Sequence, residues 1–241
     1  MNITKNLTLL TLLLLISSHC LLQAQDDIFN RWQNVDTLIR DRKIDKDAAI
    51  DSLKFFSDFL TSLYSKNNAS IKYTFVFPMV DYTEVKYRTN GNDYIDEGFD
   101  YFQGGEYTGH PAHDIFVLDK DSNGVDDSTN RKVTVVSSVN GYVISIYQNW
   151  KKGDYMRSGN YVKVFDPVSD GIYYYSHLDS IFVRTGMFVM AGQPLAYVGR
   201  TGRKAIKGKT HLHTAYYKIN NGYPEPVNII RKLYKAEKIK N

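Results

Sequence analysis

From Val133 to Lys218 the chain is written in short apolar or alternating runs, a pattern that limits its fold more than any other feature. The runs are Val133–Ser137, Tyr142–Tyr147, Tyr161–Phe165, Ile172–Ser176, Phe188–Met190, Leu195–Val198 and His211–Lys218. Between them stand turn formers: Asn140-Gly141, Ser169-Asp170-Gly171, Arg184-Thr185-Gly186 and Ala191-Gly192-Gln193-Pro194. Segments of this length, punctuated in this way, read as strands joined by tight turns. Nineteen tyrosines agree with that reading, because aromatic rings suit half-buried pleated surfaces. Nothing resembles a βαβ alternation, a Gly-rich phosphate loop or a repeat array. The expected fold is mainly β: an antiparallel sheet forming a partly open sandwich with a groove, preceded by a short N-terminal helical segment.

The helical segment is expected over residues 25–70. Ile28, Trp32, Val35, Leu38 and Ile39 recur at three- and four-residue steps, as do Ile50, Leu53, Phe56, Phe59, Leu60 and Leu63, the spacing of amphipathic helices. Asp45 and Asp47 are candidate caps for the second helix, and Lys66-Asn67-Asn68 ends it. Residues 71–225 then form the main domain, and 226–241 a basic C-terminal tail.

Ahead of the helices, residues 1–24 have the layout of a secretory signal. Lys5 and the amino terminus precede an apolar core from Leu7 to Ile16, and Ala24 offers a small residue for cleavage. The core is too short for a comfortable membrane span, so no stable span is expected once the signal is cut. Cys20 is the only cysteine, and Ser17-Ser18-His19 before it does not match a lipidation site. Cleavage after Ala24 therefore leaves no thiol for catalysis, metal binding or disulfides. A formal net charge of +4 is too weak to argue for nucleic acid.

The six histidines carry the chemistry. One lies in the leader, and the others fall in three places: His110 and His113, His177, and His211 with His213. On an extended segment, residues i and i+2 project to one face, so His211 and His213 share a face. One ring of such a pair can bind a metal while the other works on the metal's water. Histidine is the commonest metal ligand and the base best matched to neutral pH.

The pattern His110-x-x-x-Asp114, an isolated His177, then His211-x-His213 resembles the lysostaphin/LytM-type zinc endopeptidases of bacterial cell walls. Supporting context runs through Val139-Asn140-Gly141-Tyr142-Val143, Gly159-Asn160-Tyr161-Val162, Tyr175-Ser176-His177-Leu178 and the segment Val189 to Gly202. The resemblance covers roughly half the chain and leaves the helical prefix outside it. It implies His110, Asp114 and His213 as ligands of one Zn2+, with His177 and His211 as catalytic imidazoles beside it. Three His/Asp ligands leave a position open for water, as a catalytic zinc requires. His211 would then move the water's proton, and His177 would hydrogen-bond the water or the oxyanion. The resemblance also implies a secreted enzyme, periplasmic or extracellular and cell-wall associated. It would hydrolyse peptide bonds in peptidoglycan cross-links or stem peptides, in a substrate groove suited to extended, small-residue peptides. The alternative is a non-catalytic module of the same type that binds the wall or activates another hydrolase; the intact ligand set argues against it.

Family members often carry glycine two residues after the first histidine, where this chain has Ala112. His113 should point away from Asp114 and pack. Asp119, Asp121 and Asn123 echo the start of a calcium loop, a possible Ca2+ site, although position twelve is Asn130 and not the completing Glu. Arg200, Arg203, Lys204, Lys207 and Lys209, with three glycines among them, form a basic loop before His211 that could receive substrate carboxylates. Tyr107 could add a phenolic donor near His110.

Overall fold

A computed structural model describes residues 27–68, 70–85, 94–104 and 108–240. The leader and Tyr107 lie outside them. Among the described residues nine strands follow one another in a single sheet: β1 (His113–Phe116), β2 (Thr134–Val136), β3 (Gly141–Tyr147), β4 (Asn160–Asp166), β5 (Gly171–Ile181), β6 (Phe188–Val189), β7 (Pro194–Val198), β8 (His211–Asn220) and β9 (Tyr223–Pro226). The main path runs β1-β8-β5-β4-β3-β6, every strand pairing is antiparallel, and β9 adds to β8. At eleven residues β5 outlasts its neighbours, and its far end pairs with β7, which in turn pairs with β2. That pair folds over one face of the sheet: Val135 and Ala196 join Val162, Val164, Tyr173, Tyr175 and Leu212 in one buried cluster. The result is the mainly β, partly open sandwich expected from the run pattern.

Alternation along the strands builds the opposite face from Tyr161, Lys163, Phe165, Ile172, Tyr174, Ser176, His211, His213, Ala215 and Tyr217. Two helices cover part of it. Helix α1, over residues 27–40, buries Ile28, Phe29, Trp32, Val35 and Ile39. Trp32 is fully buried between Phe56 of α2 and Phe165 of β4, with ring centroids 5.5 and 5.2 Å away. Helix α2 (Lys46–Asn67) is capped by Asp45, whose carboxylate accepts from the Asp47 and Ala48 amides. Its buried stripe is Ala49, Leu53, Phe56, Ser57, Leu60 and Tyr64. Leu63 packs partly buried against the same cluster as expected, but Ile50 and Phe59 are turned aside so that the small Ala49 and Ser57 face inward. Phe59 is left 36% exposed. An apolar stripe wider than the contact surface leaves that choice to packing.

The residues after Pro226 return to the body. Helix α3 (Ile230–Lys235) sets Leu233 into the main cluster with Ile229 and Ala236. The Glu237 amide donates to Phe75 O, and the Phe77 amide to Glu237 O. Within the basic composition, Lys232 is turned inward, its ammonium donating to the hydroxyls of Tyr73 and Tyr173 at 2.8 and 2.7 Å.

Candidate functional site

The helices leave one part of their sheet face uncovered, and the histidines line it. In the β1/β8 ladder Asp114 stands directly opposite His213, so their side chains meet on one face: His213 Nδ1 is 3.0 Å from Asp114 Oδ1. His110 enters from the preceding loop, fixed by a two-way backbone bridge with Ile95. A Cβ on Gly109 would lie 2.7 Å from Ile95 O and 2.8 Å from Glu97 O, so this close approach needs glycine. His110 Nε2 thereby reaches 3.3 Å from Asp114 Oδ1. One ligand atom from each of His110, Asp114 and His213 lies within 4.8 Å of the others. Ligands about 2.0–2.1 Å from a tetrahedral zinc stand roughly 3.3 Å apart. Both measured donor separations, 3.0 and 3.3 Å, are close to that edge. The donor set fits zinc.

His211 and His177 stand beside this cluster. The His211 ring is 4.8 Å from that of His177, and the His177 ring is 5.5 Å from that of His213. Pairing in β8 puts His211 and His213 on one face, as their spacing requires. His177 arrives differently. In β5, Ser176 pairs with Tyr161 and Leu178 with Asn160, so His177 is the extra residue of a bulge. Its φ is +64°, a left-handed conformation that costs a non-glycine residue about 1–3 kcal/mol. Simple alternation would bury His177 on the Tyr175 face; the bulge re-aims it. The strain is held by the His177 amide bond to Ser158 O and by the segment 201–202 beneath. A Cβ on Gly202 would sit 2.4 Å from Arg157 O and 2.9 Å from His177 Nδ1.

Backbone carbonyls set the tautomers of both imidazoles. His177 Nδ1 lies 2.8 Å from Thr201 O, and His211 Nδ1 lies 2.7 Å from Lys209 O. A carbonyl only accepts, so each Nδ1 carries the proton and each Nε2 is the accepting nitrogen of the neutral ring. His211 Nε2 faces Asp114 Oδ2 at 3.7 Å. Burial, aided by the neighbouring His211 and His213, pushes the His177 pKa well below the usual imidazole value, so His177 stays neutral near pH 7.

All five residues line a groove of about 1560 Å³. Its far wall includes Asp36 and Arg40 of α1 and Lys163 of β4, which sequence reasoning did not single out. Asp36 is buried and ion-paired with Lys163. An acid on the apolar stripe of α1, four residues after Trp32, was the available signal.

Three lesser expectations fare unequally. His113 is buried and stacks on Tyr94, with centroids 5.6 Å apart. The calcium reading of Asp119, Asp121 and Asn123 gains nothing, since their oxygens accept within the loop. Asp119 takes the amides of Asn123 and Gly124, Asp121 takes the Asn123 side chain, and Asn123 takes the Val125 amide. Asp119, Asp121 and Asp127 do approach one another within 4.8 Å, but only Asp119 is buried and its oxygens already hold amide and hydroxyl donors. Of the basic loop, Lys204 and Lys209 line the groove. Arg200 is a brace that donates to Thr210 Oγ1 and Ile206 O.

Residues 120–228 match the model of peptidase family M23. The match takes in His177, His211 and His213 and begins after His110 and Asp114, which geometry alone brings to the site. No curated protein sequence matches the chain. Among solved structures, a zinc-containing peptidase from Vibrio cholerae is 24% identical, with TM-score 0.43 over 65% of this chain and 39% of that one. The antimicrobial peptidase lysostaphin from Staphylococcus simulans is 20% identical, with TM-score 0.37 over 52% and 44%. A candidate glycyl-glycine endopeptidase lytM from Ruminococcus gnavus is 22% identical, with TM-score 0.48 over 87% and 89%. The chain thus spans less than half the length of the first two.

Proposed function

Residues 120–228 belong to peptidase family M23, and from that premise we propose that the protein is a secreted zinc-dependent endopeptidase acting on peptidoglycan peptides. The observation that carries this reading is the convergence of His110, Asp114 and His213 on one point with the accepting nitrogens of His177 and His211 beside it. A zinc ion there would lower the pKa of a bound water toward ~7.

The chain's own residues supply the rest. With a water held there, His211 Nε2 is placed to take its proton and would do so as the amide carbonyl carbon is attacked. The imidazolium formed is stabilised by Asp114 Oδ2, 3.7 Å away. When the C–N bond breaks, His211 returns the proton to the leaving amine. Neutral His177, with its proton held on Nδ1 by Thr201 O, can only accept at Nε2. It therefore orients the water and does not donate to the oxyanion. The groove beyond the histidines is open enough for an extended peptide, with Lys204 and Lys209 on its rim to meet substrate carboxylates. Among the described residues no helix is long and apolar enough to cross a membrane; secretion rests on the leader.

Two measurements on the purified protein test the reading: zinc stoichiometry, and mass analysis of peptides released from defined peptidoglycan. One zinc per chain and chelator-sensitive peptide release are expected. Zinc without release from any peptidoglycan would favour a binding module, and a protein that takes up no zinc would end the proposal.

A further inference from the structure

The Asp119 loop has a different use from the cation site its spelling suggests. Asp119 is buried at 8% exposure. Its Oδ1 accepts from the Asn123 amide at 3.0 Å and its Oδ2 from the Gly124 amide at 2.9 Å, which folds the loop onto the carboxylate. The same Oδ2 accepts from the hydroxyl of Thr210, 91 residues later and immediately before His211. Burial alone would raise the carboxyl's pKa, but the bonds from Thr210, Gly124 and Asn123 outweigh it and hold the group below its ordinary value. It is an anion at neutral pH.

Thr210 is a clamp with three grips. Its side chain is 1% exposed, donates to Asp119 and accepts from Arg200 Nη1 at 3.0 Å. Arg200 Nη2 in turn holds Ile206 O at 3.1 Å. The Thr210 carbonyl accepts from the Val117 amide at 2.9 Å, just beyond β1. On its other side, Thr210 shares a peptide plane with Lys209, and the oxygen of that plane receives His211 Nδ1–H at 2.7 Å. Residues 207–209, just ahead, are exposed, and an added Cβ on Gly208 would touch nothing closer than 3.7 Å. Among these neighbours Thr210 is the buried, hydrogen-bonded one next to the Lys209 carbonyl.

We propose that Asp119 is a positioning residue for His211, acting through the Thr210 hydroxyl to fix the Lys209 carbonyl that holds the imidazole in its Nδ1–H tautomer. The proposal rests on the reading of His211 as the proton carrier. Partners that orient a site's first contacts typically matter 10- to 100-fold, which sets the expected size.

The test compares Thr210→Val, which keeps shape and loses the hydroxyl, with Thr210→Ser, which keeps it, and with Asp119→Asn. Peptide release should show kcat reduced about 10- to 100-fold in Thr210→Val and Asp119→Asn. KM and zinc stoichiometry should stay unchanged, and Thr210→Ser should restore the rate. Imidazole 15N spectra of the purified full-length protein should show His211 as one Nδ1–H tautomer in wild type and Thr210→Ser. In the other two variants they should show a mixture. An unchanged tautomer and unchanged kcat in Thr210→Val would overturn the proposal, as would equal losses in Thr210→Ser. Should Thr210→Val not fold, Asp119→Asn decides by the same readouts. If wild type releases no peptide, the functional reading fails while the spectra still judge the positioning.

Discussion

Asp36 ties the helical prefix to the sheet at the groove wall, and removing its charge should unfasten the two. Its carboxylate accepts from Lys163, from Ser145 Oγ at 2.6 Å, from Tyr161 OH at 3.0 Å and from Tyr101 OH at 3.4 Å. The Lys163 side chain is only 13% exposed and is surrounded by the rings of Tyr101, Tyr161 and Tyr174. Asp36→Ala leaves that ammonium desolvated with one hydroxyl partner, Tyr101 OH at 2.9 Å. Removing one member of a buried pair costs about 3–5 kcal/mol. Replacing both by apolar groups is often nearly neutral, so Asp36→Leu with Lys163→Met should recover most of the loss. Burial pushes the Asp36 carboxyl up, but Lys163 and the hydroxyls pull it further down, below the ordinary 3.8. The folded value therefore lies under the unfolded one. This stabilisation is complete above the unfolded pKa of about 4 and disappears as pH falls through the folded value. Urea midpoints at pH 7 and across the acid range measure both effects, with a constant m-value marking two-state behaviour. A loss below about 1 kcal/mol, the range of surface pairs, would refute the argument. So would additive effects of the two single substitutions.

Three further outcomes follow from the site. His211→Ala should lower kcat by roughly 10²- to 10⁴-fold with zinc content unchanged, as read by metal analysis beside peptide release; loss of zinc would reverse its role with that of His213. Asp114→Ala removes the oxygen at the centre of the cluster and should abolish stoichiometric zinc; full zinc occupancy would displace Asp114 from the ligand set. Gly202→Ala places a methyl against Arg157 O and His177 Nδ1 at a φ of +109°. It should cost about 1–3 kcal/mol in thermal or urea unfolding, and an unchanged midpoint would mean the 201–202 segment is not held where described.

Much of the sheet was legible because its strands obey local rules. All seven expected runs lie on strands, displaced by a residue or two at their ends except in β5, which continues five residues past Ser176. β9 escaped notice because Tyr223-Pro224-Glu225-Pro226 contains two residues without amide donors. Such a strand is tolerable only because it sits outside β8 and pairs on one side. α3 was hidden by its charge, since Ile229 and Leu233 are a sparse signal among lysines and arginines. The five chemically important side chains were visible as residues, and the spacing of His211 and His213 foretold their common face. Their meeting was implied by the family resemblance alone, because in the residues themselves it depends on the β1/β8 register and on the bulge at His177. Neither leaves a mark in nearby residues. The pairing of Asp36 with Lys163 spans 127 positions and was equally out of reach.

The bulge at His177 also governs which changes in length β5 can accept. Deleting His177 itself would restore regular alternation and leave every residue beyond it on its present side. Leu178, now fully buried and paired with Val198, would follow Ser176 directly and stay on the Tyr175 face. The inserted residue thus supplies an imidazole without setting the frame in which the sandwich closes. An indel at this one position can alter the chemistry and spare the packing.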